Sequence, residues 1–152
     1  MDAKALLPKE HVIIGLAGET PRDILRCLIE PLMREGIVSD DEAFLDALQA
    51  REAEVSTQLE NGVAFPHARS AAVKRLALTV GLAPATGLAF SPEAESPCRA
   101  FFLIAIPAIA PTAHLPLLRR LASFAHTDGK IERLLRARTP GAAARIITTY
   151  RG

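Results

Sequence analysis

Histidine is the residue type in this sequence best suited to nucleophilic chemistry, because its neutral imidazole carries a free electron pair near pH 7. The chain has four histidines, at positions 11, 67, 114 and 126. Only His67 lies in a segment with the features of a site, since it follows the turn formers Asn61-Gly62 and then Pro66. Proline fixes its own backbone and restricts the residue before it, so the backbone that leads to His67 is preorganised. On these features alone, an ordinary surface histidine in a loop remains an open alternative.

Two other residues suited to binding an anion lie on the apolar stripes of predicted helices. Arg51 comes three residues after Leu48, on the inward side of its helix, where an unpaired guanidinium is costly. His114 begins a stripe that continues through Leu117 and Leu121, close to the start of its helix. An inward arginine needs a carboxylate or an anion. A structural salt bridge for Arg51 and a satisfied core histidine for His114 are the alternatives.

Ser56 and Thr57 add two hydroxyl groups between Arg51 and His67. Simple turn chemistry is the alternative for this pair. Taken together with His114, these residues predict a small anion site that holds a phosphoryl group. The sequence contains neither a glycine-rich phosphate loop nor a cluster with metal-ligand spacing. A zinc site built from His67 and His114 stays conceivable, although no third ligand is evident.

The elements that must position these residues are helices and strands in alternation. Thr20-Pro21 predicts the start of a first helix that Gly36 ends, and Ser39 with Glu42 predicts a capping box for a second helix that ends near Glu54. Further helices are predicted over residues 111–126 and 129–138, and after Thr139. Strands are predicted at residues 76–82 by alternation and 100–106 at the centre, and residues 12–16 are interpreted as an edge strand or an entry loop. A hairpin is predicted near Asn61-Gly62.

These elements indicate an α/β fold, a three-layer sandwich in which helices flank a mixed β-sheet. A length of 152 residues predicts one domain over residues 1–152. A formal net charge of +1 argues against nucleic acid as a partner. The longest apolar run, residues 100–106, is far shorter than the roughly 20 residues of a membrane span. The N-terminus lacks a signal-peptide pattern, and Cys27 and Cys98 are expected to be reduced in a cytoplasmic protein.

A longer motif contains most of the candidate site residues. Arg51-Glu52-x-x-x-Ser56-Thr57, followed by Asn61-Gly62-Val63-Ala64-Phe65-Pro66-His67-Ala68, resembles the active-site motif of the fructose/mannitol/nitrogen-regulatory type of enzyme IIA in the bacterial phosphotransferase system. The segment from Phe102 to Pro107, with His114-Leu115 after it, is similar to the central strand and second histidine of that family. The resemblance covers nearly the whole chain.

The motif departs from the family pattern at two places. Val55 stands where the family often has glycine, and Leu59-Glu60 stands where it often has Ile-Gly. We expect Glu60, near an anion site, to weaken phosphate affinity or to alter partner choice. Val63, Phe65 and Ala68 are expected to form an apolar rim around His67, with a place in the core as the alternative for Val63 and Phe65.

The resemblance implies a mixed sheet between helices and a phosphoryl relay. A member of the family accepts a phosphoryl group from a small histidine phosphocarrier protein (HPr or its nitrogen-branch paralogue). Its own histidine then passes the group to a cysteine of a IIB domain, or the phosphorylated state acts as a regulatory signal. Carried onto this chain, His67 is the nucleophile, Arg51 and His114 stabilise the phosphoryl group, and Ser56 and Thr57 donate hydrogen bonds. No cofactor, metal or membrane insertion is implied.

Three other functions stay open at this point. The first is a nitrogen- or potassium-regulatory protein without a transport role. The second is a metal-dependent hydrolase that uses His67 and His114. The third is an interaction domain that has lost phosphoryl transfer. A basic stretch is interpreted as a solvated helix face, with a docking patch for an acidic partner as the alternative. It comprises Lys130, Arg133, Arg136 and Arg138.

Overall fold

A computed structural model describes residues 3–83 and 85–152 of the chain. The helices are α1 (Ala3–Leu6), α2 (Pro21–Arg34), α3 (Asp41–Glu54), α4 (Leu115–His126), α5 (Lys130–Leu135) and α6 (Pro140–Thr148), with a 3₁₀ turn at Lys9–His11. The strands are β1 (Val12–Ile14), β2 (Val63–Ala64), β3 (His67–Ser70), β4 (Ala77–Leu82) and β5 (Ala100–Pro107). In the described ranges no helix is both long enough and apolar enough to span a membrane.

The strands form a mixed sheet in which β5 is central. From one edge the order is β1, β4, β5, and then β2 followed by β3, which both pair with β5 along the other edge. Strand β4 runs antiparallel to β5, whereas the other pairings are parallel. Every residue of β5 is buried, which confirms the predicted central strand, and β1 confirms the predicted edge strand. The hairpin partner of β2 is the irregular segment 57–59 rather than a full strand.

Helices cover both faces of this sheet. Phe101 and Leu103 of β5 belong to a core cluster with α2 and α3, whereas their neighbours Phe102 and Ile104 belong to a second cluster with α4, α5 and α6. This division follows from the strand geometry, because successive side chains point to opposite faces. The predicted three-layer α/β sandwich is therefore confirmed.

The caps of the first two long helices differ in how well they were predicted. The Thr20 hydroxyl accepts a hydrogen bond from Asp23 N at 3.1 Å, as expected. The second cap prediction is wrong, because Asp40 rather than Ser39 accepts from Ala43 N, at 3.1 Å. The Ser39 hydroxyl donates instead to the Ala72 carbonyl at 3.2 Å. A carboxylate one residue closer to the helix thus replaces the predicted capping box.

Helix α4 begins at Leu115 and not at residue 111, so the predicted start is wrong. The reason is Pro116, which has no N–H to donate to a carbonyl four residues earlier and is tolerated only in a first turn. Residues 110–114 form turns instead, in which Ala113 N donates to Ala110 O at 3.2 Å. Helix α5 is also shorter than predicted, whereas α6 has the predicted Thr139 cap.

A hairpin leads into β2, as the Asn61-Gly62 pair predicts. Leu59 N donates to Val63 O at 2.7 Å, and Phe65 N donates to Thr57 O at 3.3 Å. Gly62 sits at a φ of +77°, in the left-handed region where a side chain is strained. The hairpin therefore lies along the open side of β2, on the outer edge of the sheet.

Candidate functional site

A cleft of about 290 Å³ opens at the outer edge of the sheet, beside β3. Helix α3 forms one wall, and β3 with the loop before α4 forms the other. The lining residues are Ala47, Ala50, Arg51, Glu54, His67, Ala68, Arg69, Ile106 and His114. The structure therefore brings together three of the five predicted site residues, although they lie far apart in the sequence.

His67 is the first residue of β3 and is half-buried in this cleft. The Pro66 carbonyl accepts a hydrogen bond from Ile104 N at 2.9 Å, which fixes the backbone just before the ring. The Nδ1 atom of His67 lies 2.8 Å from the Phe65 carbonyl oxygen. A carbonyl can only accept, so Nδ1 carries the proton. The electron pair of the neutral ring is then on Nε2, the nitrogen that Phe65 leaves free.

His114 lies directly beside His67. The two ring centroids are 5.7 Å apart, and the ring planes are inclined by 30°. His114 is 4% exposed, and its Nδ1 atom is buried without a hydrogen-bond partner in the described parts of the chain. Burial lowers the pKa of His114, and the nearby His67 and Arg69 lower it further. The lowered pKa favours the neutral form of the ring near pH 7.

Arg51 lies in the last turn of α3 and is half-buried. Its Nη1 atom donates to the Val55 carbonyl at 2.8 Å, which orients the guanidinium at the end of the helix. Within residues 3–83 and 85–152 it makes no ion pair, so the structural salt bridge considered for this residue is not formed. The cleft thus holds a guanidinium without a carboxylate partner.

Arg69 also lines the cleft, and the sequence analysis missed it. It stands two residues after His67 on β3, and alternate residues of a strand point to the same face. Its Nε atom donates to the Pro111 carbonyl at 2.9 Å. The period-two relation to His67 is the signal that would have found it.

Ser56 and Thr57 are not brought into the cleft. Both the backbone N–H and the hydroxyl of Thr57 donate to the carboxylate of Glu52, the former at 3.0 Å. The Ser56 hydroxyl accepts from Gln58 N at 3.2 Å, and Ser56 lines a separate groove together with Glu60. The predicted phosphate contacts of Thr57 would therefore require its donors to leave Glu52.

The apolar residues near His67 belong to the core rather than to a rim. Val63 is 0% exposed, Phe65 is 5% exposed and Ala68 is 6% exposed. Phe65 stacks on Phe102, with ring centroids 5.4 Å apart. The segment before His67 is thus anchored by buried side chains, which holds the ring in place.

Comparison with known proteins identifies the family. The model of the family "Phosphoenolpyruvate-dependent sugar phosphotransferase system, EIIA 2" matches residues 5–150 of the chain. The chain belongs to this family. Its members are EIIA components of a phosphotransferase system, which transfers phosphoryl groups.

EIIA relatives with curated descriptions include two fructose-specific proteins. The fructose-specific EIIA component of Haloferax volcanii is 33% identical over 138 residues, which cover 90% of this chain and 88% of the relative. The fructose-specific EIIABC component of Bacillus subtilis is 26% identical over 150 residues. That match covers 99% of this chain but 24% of the much longer relative.

Solved EIIA structures share the fold. The nitrogen regulatory protein IIA-Ntr of Neisseria meningitidis has a TM-score of 0.83 at 24% identity, over 94% of this chain and 97% of that one. Mannitol IIA of Escherichia coli has a TM-score of 0.77 at 23% identity, over 93% and 98%. A complex of mannitol IIA with phosphorylated IIB from the same organism has a TM-score of 0.78 at 21% identity, over 95% and 98%.

The EIIA cleft of this chain lacks the side chains of a metal centre. In the part of the chain that the structure describes, no group of three or more His, Cys, Asp and Glu residues is placed to hold a metal ion. The ionisable groups that line the cleft are two imidazoles, two guanidinium groups and the carboxylate of Glu54.

Proposed function

We propose that this EIIA chain carries a phosphoryl group on Nε2 of His67. The donor is the phosphorylated histidine of a small phosphocarrier protein, and the acceptor is a cysteine of a IIB domain. The observation that carries the proposal is the hydrogen bond from His67 Nδ1 to the Phe65 carbonyl, which leaves Nε2 free inside a cleft with Arg51 and His114.

The transfer step balances without any proton movement. The electron pair on Nε2 of His67 attacks phosphorus, the P–N bond to the donor imidazole breaks, and its electron pair returns to the donor ring. The Nδ1–H group of His67 stays hydrogen-bonded to the Phe65 carbonyl throughout. Charge develops on the oxygens of the transferring group, so the protein's task is to position the rings and to supply donors.

Arg51 and His114 supply those donors in different forms. The Arg51 guanidinium is held by Val55 at the mouth of the cleft and offers charged N–H groups to phosphoryl oxygens. The His114 imidazole, which lines the same cleft beside His67, offers a neutral N–H group to such an oxygen. A charged and a neutral donor thus flank the nucleophile.

Docking of a second protein requires an accessible surface around His67. Ile109 is 92% exposed and Leu115 is 45% exposed, on either side of the loop that leads to His114. Apolar residues in this position suit a transient protein interface with a charged centre. The same surface serves donor and acceptor in turn.

The choice of acceptor rests on the named relatives. The Haloferax relative is fructose-specific, and a structural neighbour was solved together with phosphorylated IIB. We therefore favour a IIB cysteine in a fructose branch over a regulatory target protein. We place the reaction in the cytoplasm, because both cysteines are free and oxidising compartments favour disulfides.

The test is phosphoryl labelling. With labelled phosphoenolpyruvate, enzyme I and the phosphocarrier protein, the chain should acquire an acid-labile label that the His67→Ala variant lacks. The matched control is His126→Ala, because His126 is exposed and lies outside the cleft. A label that persists in His67→Ala, or its absence from the wild type, would refute the proposal. The labelled chain is then mixed with a IIB domain. Transfer of the label to the IIB cysteine supports a transport role, and retention of the label on the chain supports a regulatory role.

A further inference from the structure

Arg69 is a second cation in the cleft, in addition to Arg51. We propose that Arg69 is a phosphoryl-binding residue of this site and that the Pro111 carbonyl orients it for this role. The inference rests on the function proposed for His67. It adds a contact that the motif around Arg51 and His67 does not contain.

The position of Arg69 follows from the pleat of β3. His67 pairs with Ile104 of β5 and Arg69 pairs with Ile106, so the two side chains lie on the same face of the edge strand, one above the other. Arg69 is exposed, whereas Ala68 between them points into the core beneath α3. The guanidinium therefore reaches the mouth of the cleft without being buried.

The contact with Pro111 decides which donors remain available. Nε is occupied by the Pro111 carbonyl at 2.9 Å. The two terminal nitrogens make no hydrogen bond or ion pair in the described portion of the chain. These nitrogens form the fork that binds two oxygens of a phosphoryl group. The bond thus removes rotational freedom and leaves the phosphate-binding fork open.

Pro111 belongs to the loop that carries His114 to the cleft. The bond from Arg69 therefore connects the edge strand with the loop that bears exposed Ile109 and buried His114. Loss of the arginine side chain is expected to affect both the anion contact and the placement of this loop. A lysine keeps the charge but loses the fork and the Nε donor.

The charge of the incoming group requires more than one cation. A phosphoryl group carries roughly 1.5 to 2 negative charges near pH 7. His114 is neutral there, because burial and then the neighbouring His67 and Arg69 lower its pKa. Because the Glu54 carboxylate also lines the cleft, Arg51 alone leaves most of this charge unmatched, and Arg69 adds a second positive charge. The two arginines approach from opposite walls, one from α3 and one from β3.

The experiment compares Arg69→Gln, Arg69→Lys and a matched control, Arg145→Gln, in transfer from the phosphorylated carrier protein to the full chain. Arg145 is exposed on α6, outside the cleft, and its replacement changes the net charge equally. We expect Arg69→Gln to slow transfer about 10- to 100-fold. Arg69→Lys should be intermediate, and Arg145→Gln should match the wild type.

A second readout reports on the phosphoryl group itself. The ³¹P resonance of phosphorylated His67 should shift in Arg69→Gln and not in Arg145→Gln, and inorganic phosphate should bind more weakly to Arg69→Gln. Equal rates and equal ³¹P shifts in the two glutamine variants would overturn the inference. If Arg69→Gln does not fold, a wild-type rate in Arg69→Lys would overturn it.

The same assay separates this inference from the proposal on which it rests. An unlabelled wild type, or a label that persists in His67→Ala, contradicts the function proposed for His67. A labelled wild type with an unaffected Arg69→Gln contradicts only the role of Arg69.

Discussion

Two pairs of arginines in this molecule differ in the groups to which they donate hydrogen bonds. Arg22 and Arg26 of α2 face the acidic side of α3, where Arg22 contacts Glu42, Asp46 and Gln49. Arg26 reaches Asp41 at 3.4 Å and Glu42 at 3.1 Å. Arg51 and Arg69, in the cleft, donate only to the backbone carbonyls of Val55 and Pro111.

Under the proposed function, this difference separates charges that pair two helices from charges that remain available to a ligand. Hydrogen bonds from Arg22 and then Arg26 lower the pKa of Glu42, so the carboxylate stays ionised and the two helices are cross-linked at the surface. A carbonyl contact orients a guanidinium but leaves its charge uncompensated. The cleft cations therefore have no carboxylate partner among the described residues, as the proposed phosphoryl site requires.

Removal of a cleft arginine should produce the largest difference between the two pairs. We expect Arg51→Ala to slow phosphoryl transfer about 100-fold, because an oriented charged donor beside the reacting group is lost. Arg22→Ala, the matched control, should leave the rate unchanged and lower the melting temperature by about 1 to 3 °C. Phosphoryl-transfer rates and thermal unfolding curves of both variants test these two expectations.

The reverse pattern would break the comparison. If Arg51→Ala unfolds the domain while Arg22→Ala slows transfer, the cleft arginine is structural and the paired arginine is functional.

The pH dependence of stability should reveal the buried imidazole of the cleft. Because burial lowers the pKa of His114 below its unfolded value, the unfolded chain binds the proton more readily. The contribution of His114 is therefore constant above about pH 6.5 and falls as the pH drops towards its folded pKa, by up to about 1.4 kcal/mol per pH unit. Urea unfolding at several pH values should show a shallower acid loss in His114→Gln. Parallel curves for wild type and variant would contradict the prediction.

The smallest effect on the transfer rate is expected from replacement of the carboxylate that lines the cleft. Glu54 is exposed, makes no ion pair in residues 3–83 or 85–152, and shares the cleft with His67. Solvent screens its repulsion of a phosphoryl group, so Glu54→Gln should speed transfer to His67 only about 2- to 3-fold. An unchanged rate in low salt would show that this carboxylate is too distant to act. A decreased rate would mean that Glu54 has a positive role in transfer.

The sequence was most informative where local rules and packing agree. The Thr20 cap and the apolar stripe of α2 predict a helix that the structure contains. The stripe positions of Arg51 and His114 predict inward side chains, and both residues line one cleft with His67. The alternating and continuous apolar runs likewise predict β4 and β5, and every residue of both strands is buried.

Other features depend on contacts that cannot be read from spacing. Thr57 is part of the family motif, yet both of its donors bind the Glu52 carboxylate. Only the folded turn brings these groups together. For Arg69, the spacing places the side chain on the His67 face of β3, but only the fold brings the Pro111 carbonyl within reach of its Nε atom. The true cap of α3 was missed because Ser39 and Asp40 are both good caps, and tertiary pairing of Ser39 with Ala72 decides between them.

The hairpin along β2 has a further effect on how this edge of the sheet meets other proteins. An uncovered edge strand offers unpaired backbone groups on which a foreign strand can assemble, a common route to aggregation. Here the segment before the turn accepts from Phe65 N and donates to Val63 O, while α3 packs on β3. The Val63 carbonyl and the Phe65 N–H on this side of β2 are therefore already paired and are not free to bind a foreign strand.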